Sequence, residues 1–490
     1  MVHRCDMLIK PSIEWSFMLT AAFARFPVSN RLNKVNRHGL TLLLAGALGA
    51  SVGHAQASDT YEKILANGMK IIVKEDHRAP TVAHMVWYRV GSMDEKNGTT
   101  GVAHALEHMM FKGTDKLAPG EFSKRVAALG GRENAFTNKD YTAYFQQVHQ
   151  SRLPDVMQLE ADRMKHLKMS EAEFAKEIKV IMEERRLRTD DKATSVVYEE
   201  FNANAFIASP YRRPVIGWMN DLENMTAKDA ADWYHTWYAP NNAVMVVTGD
   251  VQAKEVFMLA EKFYGAYKTQ SLPVRKPQIE PEQKGERRIE VKAPAENPYV
   301  LMGYQVPRLQ DIDKDDDVFA LEILSAVLDG YDNARINRNI VRDGKIATDA
   351  GVGYDYMGRG PALFLLEGSP AEGKTTADLE KALLDEIKRV ASEGVSEAEL
   401  KRVKAQLLAS QIYKRDSIFG QAMEIGAAEM SGYSWRQLDQ ILARLKAVTP
   451  EQVQAVAGKY FKDDTLTVAT LLPQPITNLP KRPAVEGLRH

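Results

Sequence analysis

Two histidines and a glutamate stand close together near residue 104. His104, Glu107 and His108 form a His-x-x-Glu-His string, and residues at positions i, i+3 and i+4 share one face of an α-helix. On such a face, both imidazoles can present a nitrogen to one metal ion. Two histidines and a carboxylate ligand leave a coordination position for water, which is typical of a catalytic zinc site. The string therefore predicts metal-assisted hydrolysis with Glu107 as the general base.

The helix expected to carry this string has matching signals at both ends. Thr99 or Thr100 can cap its start, and Gly113 can end it. Taken by itself, the string is also compatible with two histidines in a core or on a surface. The metal interpretation therefore needs a third ligand elsewhere in the chain.

A second helix supplies candidates for that ligand. It opens at Ser170, where the letters Ser-Glu-Ala-Glu form a capping box. Glu177 and Glu184 lie on nearly the same stripe of this helix, at the border of its apolar face, whereas Glu183 points in another direction. We interpret Glu184 as the third metal ligand and Glu177 as a carboxylate that orients a ligand histidine. A charged, solvated helix is the alternative interpretation.

The complete pattern resembles the pitrilysin/insulinase zinc peptidases. Glu184 follows His108 by 76 residues, with Glu177 one heptad earlier. The segment from Asn134 to Tyr144, Asn-Ala-Phe-Thr-Asn-Lys-Asp-Tyr-Thr-Ala-Tyr, is similar to an edge-strand segment of that family. The likeness is greatest to the half-size branch, which includes mitochondrial processing peptidase and its bacterial relatives. It covers residues 60 to 475 and is more specific in the first half.

The resemblance implies an α+β fold with two homologous domains that enclose a chamber. Each domain would contain a mixed, largely antiparallel sheet with helices packed on one face. The implied cofactor is one Zn²⁺ per chain, with Glu107 and Glu177 as the catalytic carboxylates. A peptide substrate would add to the edge of the strand that contains Asn134, Ala135 and Phe136. An ordinary edge strand without this role is the alternative.

The second half departs from the family pattern. Members that act alone carry an arginine there, followed seven residues later by a tyrosine that helps to bind the substrate. Here Arg342 is present, but Thr348 or Asp349 stands where the tyrosine is expected, and Tyr354 is out of register. Some members of the branch work as pairs in which a second subunit supplies this element. We therefore expect a homologous partner subunit, or a homodimer.

The sequence also shows two similar halves. A threonine-capped helix and a short strand close each half, in residues 226–247 and in residues 449–469. Three prolines interrupt the apolar pattern between them, which indicates a linker. The predicted organisation is a targeting segment (1–57), a zinc-binding domain (58–268), a linker (269–288), a peptidase-like domain (289–475) and a tail (476–490).

The first 57 residues have the order of a secretory signal peptide. Basic residues precede the apolar run Gly39 to Ala50, and Ala55-Gln56-Ala57 is a small-x-small cleavage site. An uncleaved anchor or a buried helix is the alternative. Cleavage near Ala57 predicts a periplasmic or secreted protein, and it would remove Cys5, the only cysteine. No other stretch is long and apolar enough to predict a transmembrane helix.

The composition narrows the classes of function further. The 490 residues contain 64 Lys and Arg against 65 Asp and Glu, so no charge excess favours nucleic acid or an anionic membrane as a partner.

Three hypotheses compete: a zinc endopeptidase, a non-catalytic assembly subunit of the same fold, and a metal-binding module without hydrolysis. The intact set of His104, Glu107, His108 and Glu184 favours the peptidase, because a scaffold needs none of them.

Overall fold

The computed structural model describes residues 59–476. The predicted targeting segment and the predicted tail beyond residue 476 lie outside the described residues. The described chain contains two β-sheets, one from each half of the sequence, accompanied by helices. The α+β fold that the sequence predicts is therefore confirmed.

Six strands form the sheet of the first half, in the order β1-β2-β6-β3-β5-β4. β2 and β6 are parallel, and the other neighbouring pairs are antiparallel. The β1–β2 hairpin turns through Gly68 with a φ of +84°, as its Asn-Gly pair predicts. The strands are β1 (Thr60–Ile64), β2 (Lys70–Glu75), β3 (Thr81–Tyr88), β4 (Arg132–Thr137), β5 (Thr142–His149) and β6 (Ala243–Gly249).

Five strands form the sheet of the second half, in the order β7-β11-β8-β10-β9. β7 and β11 are parallel, and the other pairs are antiparallel. Apart from β1, this sheet repeats the strand order and directions of the first, which confirms the predicted duplication. The strands are β7 (Arg287–Pro294), β8 (Tyr299–Val306), β9 (Ala347–Tyr354), β10 (Ala362–Pro370) and β11 (Leu466–Gln474).

Within residues 59–476, fourteen α-helices connect and cover the strands. The two helices that precede the closing strands begin after Thr226 and Thr449, each of which caps its helix as predicted. Those of the first half are α1 (Val102–Met109), α2 (Glu121–Ala128), α3 (Leu153–His166), α4 (Glu171–Arg185), α5 (Ala193–Ala205), α6 (Met219–Asn224), α7 (Ala227–Trp237) and α8 (Ala253–Tyr264). Those of the second half are α9 (Asp316–Asp329), α10 (Thr376–Glu393), α11 (Glu397–Asp416), α12 (Ile418–Ser431), α13 (Leu438–Ala447) and α14 (Pro450–Tyr460).

Each sheet is covered on one face by helices of its own half, as expected, and on the other face by one helix of the other half. α12 packs on the first sheet, where Ile425 joins a core cluster with Trp87 of β3. α5 packs on the second sheet, where Phe201 joins a cluster with Leu301 of β8. β3 is buried from Val82 to Tyr88, as a strand covered on both faces is, and all of these residues except His84 are apolar or aromatic. The exchanged helices join the halves through two apolar cores.

Asp94 forms ion pairs with two arginines, and these ion pairs join the two halves to the segment between them. Arg275 Nε lies 2.7 Å from Asp94 Oδ1, and two Arg359 nitrogens lie 2.9 and 3.0 Å from the Asp94 oxygens. Asp94 belongs to the first half, Arg275 to the segment between α8 and β7, and Arg359 to the second half. That segment has no helix or strand, and β7 begins at Arg287, inside the predicted linker. The predicted domain limits stay predictions.

Between residues 59 and 476, no helix has both the length and the apolar character needed to cross a membrane.

The exchange of α12 gives a prediction for Gly426. A Cβ at this position would lie 2.0 Å from the ring of Trp87, which is fully buried, so Gly426→Ala should destabilise the fold by about 1–3 kcal/mol. Differential scanning fluorimetry should show a lower unfolding temperature. The matched control is Gly458→Ala in α14, where an added Cβ meets nothing within 4 Å; it should leave the unfolding temperature unchanged or raise it. Equal effects of the two variants would contradict the packing described here.

Candidate metal centre

Helix α1 carries His104, Glu107 and His108, and its start is held by a buried carboxylate. The N-cap is Gly101, with a φ of +87°, and not Thr99 or Thr100 as the sequence suggested. Glu95 accepts hydrogen bonds at 2.9 Å from the backbone N–H groups of Gly101 and Ala103. Glu95 thus replaces the predicted side-chain cap, because it accepts hydrogen bonds from N–H groups that have no partner within the helix.

Thr100 contributes to the position of the helix in another way. Its hydroxyl donates to Asp221 Oδ2 at 2.5 Å, and its backbone N–H donates to the same atom at 3.0 Å. The backbones of Thr100 and Gly217 approach so closely that a Cβ at Gly217 would lie 2.3 Å from the Thr100 carbonyl. A side chain at 217 would therefore displace the start of α1.

The structure brings the three predicted metal ligands together. Glu184 of α4 places Oε2 3.4 Å from His108 Nε2 and 3.8 Å from His104 Nε2. One potential ligand atom from each residue lies within 4.8 Å of the other two. Glu184 and His108 are buried, with 3% and 7% of their surface exposed. Two helices far apart in sequence thus converge on one buried point.

Glu177 stands behind His108, as the sequence interpretation expects. Its Oε1 lies 2.9 Å from His108 Nδ1, and its Oε2 lies 2.5 Å from Lys112 Nζ. Burial opposes ionisation of Glu177, but the His108 hydrogen bond and the Lys112 ammonium outweigh it and lower its pKa. The charged carboxylate holds the ring so that Nε2, the other nitrogen, faces Glu184 and His104.

Glu107 lies on the same face of α1 but is not part of the converging set. Its Oε2 accepts a hydrogen bond from the Thr137 hydroxyl of β4. Burial raises the pKa of Glu107 to about 7, although the His108 charge and the Thr137 hydrogen bond act in the opposite direction. A carboxylate with this pKa can both accept and release a proton near neutral pH.

Neighbouring charged groups shift the pKa values of two of the predicted ligands, Glu184 and His108. Arg188 pairs with Glu184 Oε1 at 2.8 Å. Burial opposes ionisation of Glu184, but the His108 hydrogen bond and the charges of His104 and Arg188 lower its pKa to about 2. Burial also disfavours the charged form of His108, yet Glu177 and Glu184 raise its pKa to about 9. Glu184 therefore attracts both imidazoles.

This arrangement fits a zinc ion. Tetrahedral ligands at about 2.0–2.2 Å from zinc lie about 3.3–3.6 Å apart, which is close to the separations between Glu184 and the two imidazoles. Glu177 pairs with Lys112 and Glu184 pairs with Arg188, and Glu107 is also buried. Because a histidine must be neutral to bind a metal, a divalent cation would replace the proton on His108 and offset the charge of these carboxylates.

The predicted substrate strand is β4, an edge of the first sheet. The N–H of Ala135 donates to the Asn134 side-chain oxygen at 2.9 Å and not to a neighbouring strand, so this N–H points to the free edge. The ring of Phe136 packs against Trp87 at 5.6 Å. A cavity of ≈ 290 Å³ between the halves borders all three residues, together with Asn202 of α5 and Leu363 of β10.

The residues of the expected arginine/tyrosine element have other partners. Arg342 pairs with Asp343 at 2.8 Å. Thr348 and Asp349 lie on the edge strand β9. Tyr354 is buried in the second core, where its hydroxyl donates to the Pro307 carbonyl at 2.5 Å. Tyr354 therefore does not replace the missing tyrosine.

Three contacts of the centre were not anticipated from the sequence. Lys112 follows His108 by four residues and Arg188 follows Glu184 by four, so their helical spacing was an available signal. Thr137 reaches Glu107 across the contact between a strand and a helix, for which the local sequence contains no signal.

The comparison with known proteins agrees with this geometry. Residues 70–218 match the insulinase peptidase family M16, and residues 224–407 match the description "Peptidase M16 inactive domain". "Zinc protease PqqE" of Helicobacter pylori is 32% identical over 450 residues, which cover 89% of this chain and 98% of that protein.

Solved structures of peptidases have a similar fold. The crystal structure of a protease from Helicobacter pylori matches with a TM-score of 0.80 and 29% identity, over 84% of this chain and 99% of that chain. The periplasmic protease PqqL from Escherichia coli matches with a TM-score of 0.73 and 18% identity, over 85% of this chain but 48% of that longer chain. The protein belongs to the M16 peptidase family.

The convergence of the ligands predicts which glutamate of α4 controls metal binding. Glu184→Gln should lose most zinc after dialysis, because an amide is a far weaker ligand than a carboxylate. Inductively coupled plasma mass spectrometry measures the zinc content per chain. Glu183→Gln is the matched control, since Glu183 pairs with Arg186 at 3.0 Å and should leave the zinc content unchanged. Retained zinc in Glu184→Gln would contradict the assignment of this ligand.

Proposed function

We propose that this protein is a zinc metalloendopeptidase that hydrolyses peptides or extended polypeptide segments. The observation that carries the proposal is the convergence of His104, His108 and Glu184 on one buried point. Glu107 lies in the same helix as the two histidines. The zinc protease among its relatives supports the same conclusion. His104, His108 and Glu184 would hold one Zn²⁺ per chain.

Each carboxylate has a separate task in this proposal. Bound zinc would polarise the peptide carbonyl and lower the pKa of water. Glu107 accepts a proton from the attacking water and passes it to the leaving amine, for which its raised pKa is suited. Glu177 keeps the His108 ring oriented through Nδ1.

The substrate would bind as an added strand on the free edge of β4. Asn134, Ala135 and Phe136 offer backbone groups there, and the Asn134 side chain satisfies the Ala135 N–H until a peptide carbonyl replaces it. Binding through backbone groups suits extended segments and tolerates many sequences. A peptide in this position would lie along the strand that contacts Glu107 through Thr137.

We further propose that the chain works with a second subunit of the same fold, either a homologous chain or another copy of itself. The second half repeats the scaffold, but its helix α9, the counterpart of α1, contains no histidine. The tyrosine of the expected arginine/tyrosine element is replaced. PqqL is about twice as long as the matched region, and a second unit of this size would supply the missing part.

Export to the periplasm or outside the cell follows from the predicted signal peptide.

Two variants test the peptidase against its alternatives. Glu107→Gln should retain zinc and lose activity by about 10²–10⁴-fold, because the base is removed while the ligands stay. His108→Ala should lose both zinc and activity. Cleavage of a fluorogenic peptide library and zinc analysis give the two readouts. A metal-binding module without hydrolysis would keep its function in Glu107→Gln, and an assembly subunit would show no zinc-dependent cleavage in the wild type.

The need for a second subunit gives a further prediction. The zinc-loaded chain should cleave peptides weakly as a monomer. If the second subunit is a homologous chain that carries the arginine/tyrosine element, its addition should raise kcat/KM. Light scattering coupled to size-exclusion chromatography reports the assembly in the same samples. Full activity of a homodimer would exclude the requirement for a different chain, and full activity of a monomer would contradict the proposal altogether.

A further inference from the structure

Thr137 is the last residue of β4, and its side chain points towards the metal helix. Along a strand, alternate residues share a face, and Ala135, two positions earlier, packs in the same core cluster as Leu106 of α1. The Thr137 hydroxyl donates a hydrogen bond to Glu107 Oε2. A side-chain hydrogen bond to Glu107 thus joins the edge strand to the helix.

The neighbouring hydroxyl group fixes the direction of that hydrogen bond. Thr142, opposite Thr137 on β5, places its Oγ1 3.4 Å from Thr137 Oγ1. Thr142 donates its own proton to the Val90 carbonyl at 3.0 Å. A hydroxyl has one proton to give, so the short contact with Glu107 is the one that uses the Thr137 proton.

The consequence for Glu107 is geometric. A carboxylate has two oxygens that exchange places when the terminal torsion rotates, and this torsion is broad in an unrestrained glutamate. With Oε2 engaged by Thr137, rotation would break a hydrogen bond to a charged group. Oε1 is then the oxygen left to accept a proton.

We propose that Thr137 is a positioning residue that holds Glu107 so that one oxygen stays directed at the reacting water. This inference rests on the proposed peptidase function and adds a residue to it. Because Thr137 belongs to the strand that would bind the peptide, substrate and base are placed by the same element. Ordering of β4 by an added peptide strand would also order the partner of Glu107.

The test compares Thr137→Val with Thr137→Ser. Valine keeps the shape of threonine and removes the hydroxyl, whereas serine keeps the hydroxyl. In Thr137→Val, kcat should fall on the order of 10-fold or more while KM changes little, and Thr137→Ser should recover most of the loss. Zinc content should equal that of the wild type in both variants, because neither change touches a metal ligand.

A crystal structure of each zinc-loaded variant supplies a readout that is independent of activity. The Glu107 carboxylate should be rotated or spread over several positions in Thr137→Val and remain in its wild-type position in Thr137→Ser. An unmoved Glu107 in the valine variant, or a serine variant as impaired as the valine variant, would overturn the inference. A zinc-loaded wild type without peptidase activity, in any assembly, would instead refute the proposed function, and the two crystal structures would still decide the role of Thr137.

Discussion

The structure of the first half depends on one buried contact, in which the Glu184 carboxylate lies next to two imidazoles. Burying charges is costly unless each has a close partner. Here Glu184 lies between His104 and His108 and is also paired with Arg188, and Glu177 is shared by His108 and Lys112. These contacts join α1 to α4. Two further contacts fix the position of α1 on the sheet. Glu95 caps its start, and the backbone just before the helix lies close to Gly217.

The internal duplication shows what the candidate metal centre adds to the scaffold. Both halves use the same sheet order and close with a threonine-capped helix and a strand, but α9 has no histidine where α1 has two. The halves are not independent, however. The chain that leaves Glu184 continues through the short π-helix Arg186–Asp190 into α5, and α5 packs on the second sheet. The helix that carries Glu184 is thus continuous with a segment that packs on the second sheet.

Much of this arrangement could be predicted from the sequence, because it depends on local periodicity. The spacing of His104, Glu107 and His108 gave the shared helix face, and the threonine-capped helices revealed the duplication. The cap of α1 was predicted wrongly, since Glu95 is separated from the helix start by a loop and the αL conformation of Gly101 is not visible in the residue letters. The exchange of α5 and α12 and the Thr137–Glu107 hydrogen bond depend on tertiary packing, which local patterns do not specify.

The most direct test of this account is an X-ray diffraction experiment on crystals of the zinc-loaded chain, with data collected on both sides of the zinc absorption edge. The account predicts one anomalous peak per chain, about 2.0–2.2 Å from His104 Nε2, His108 Nε2 and a Glu184 oxygen. A zinc peak bound elsewhere, or crystals of active protein with no peak between α1 and α4, would contradict it.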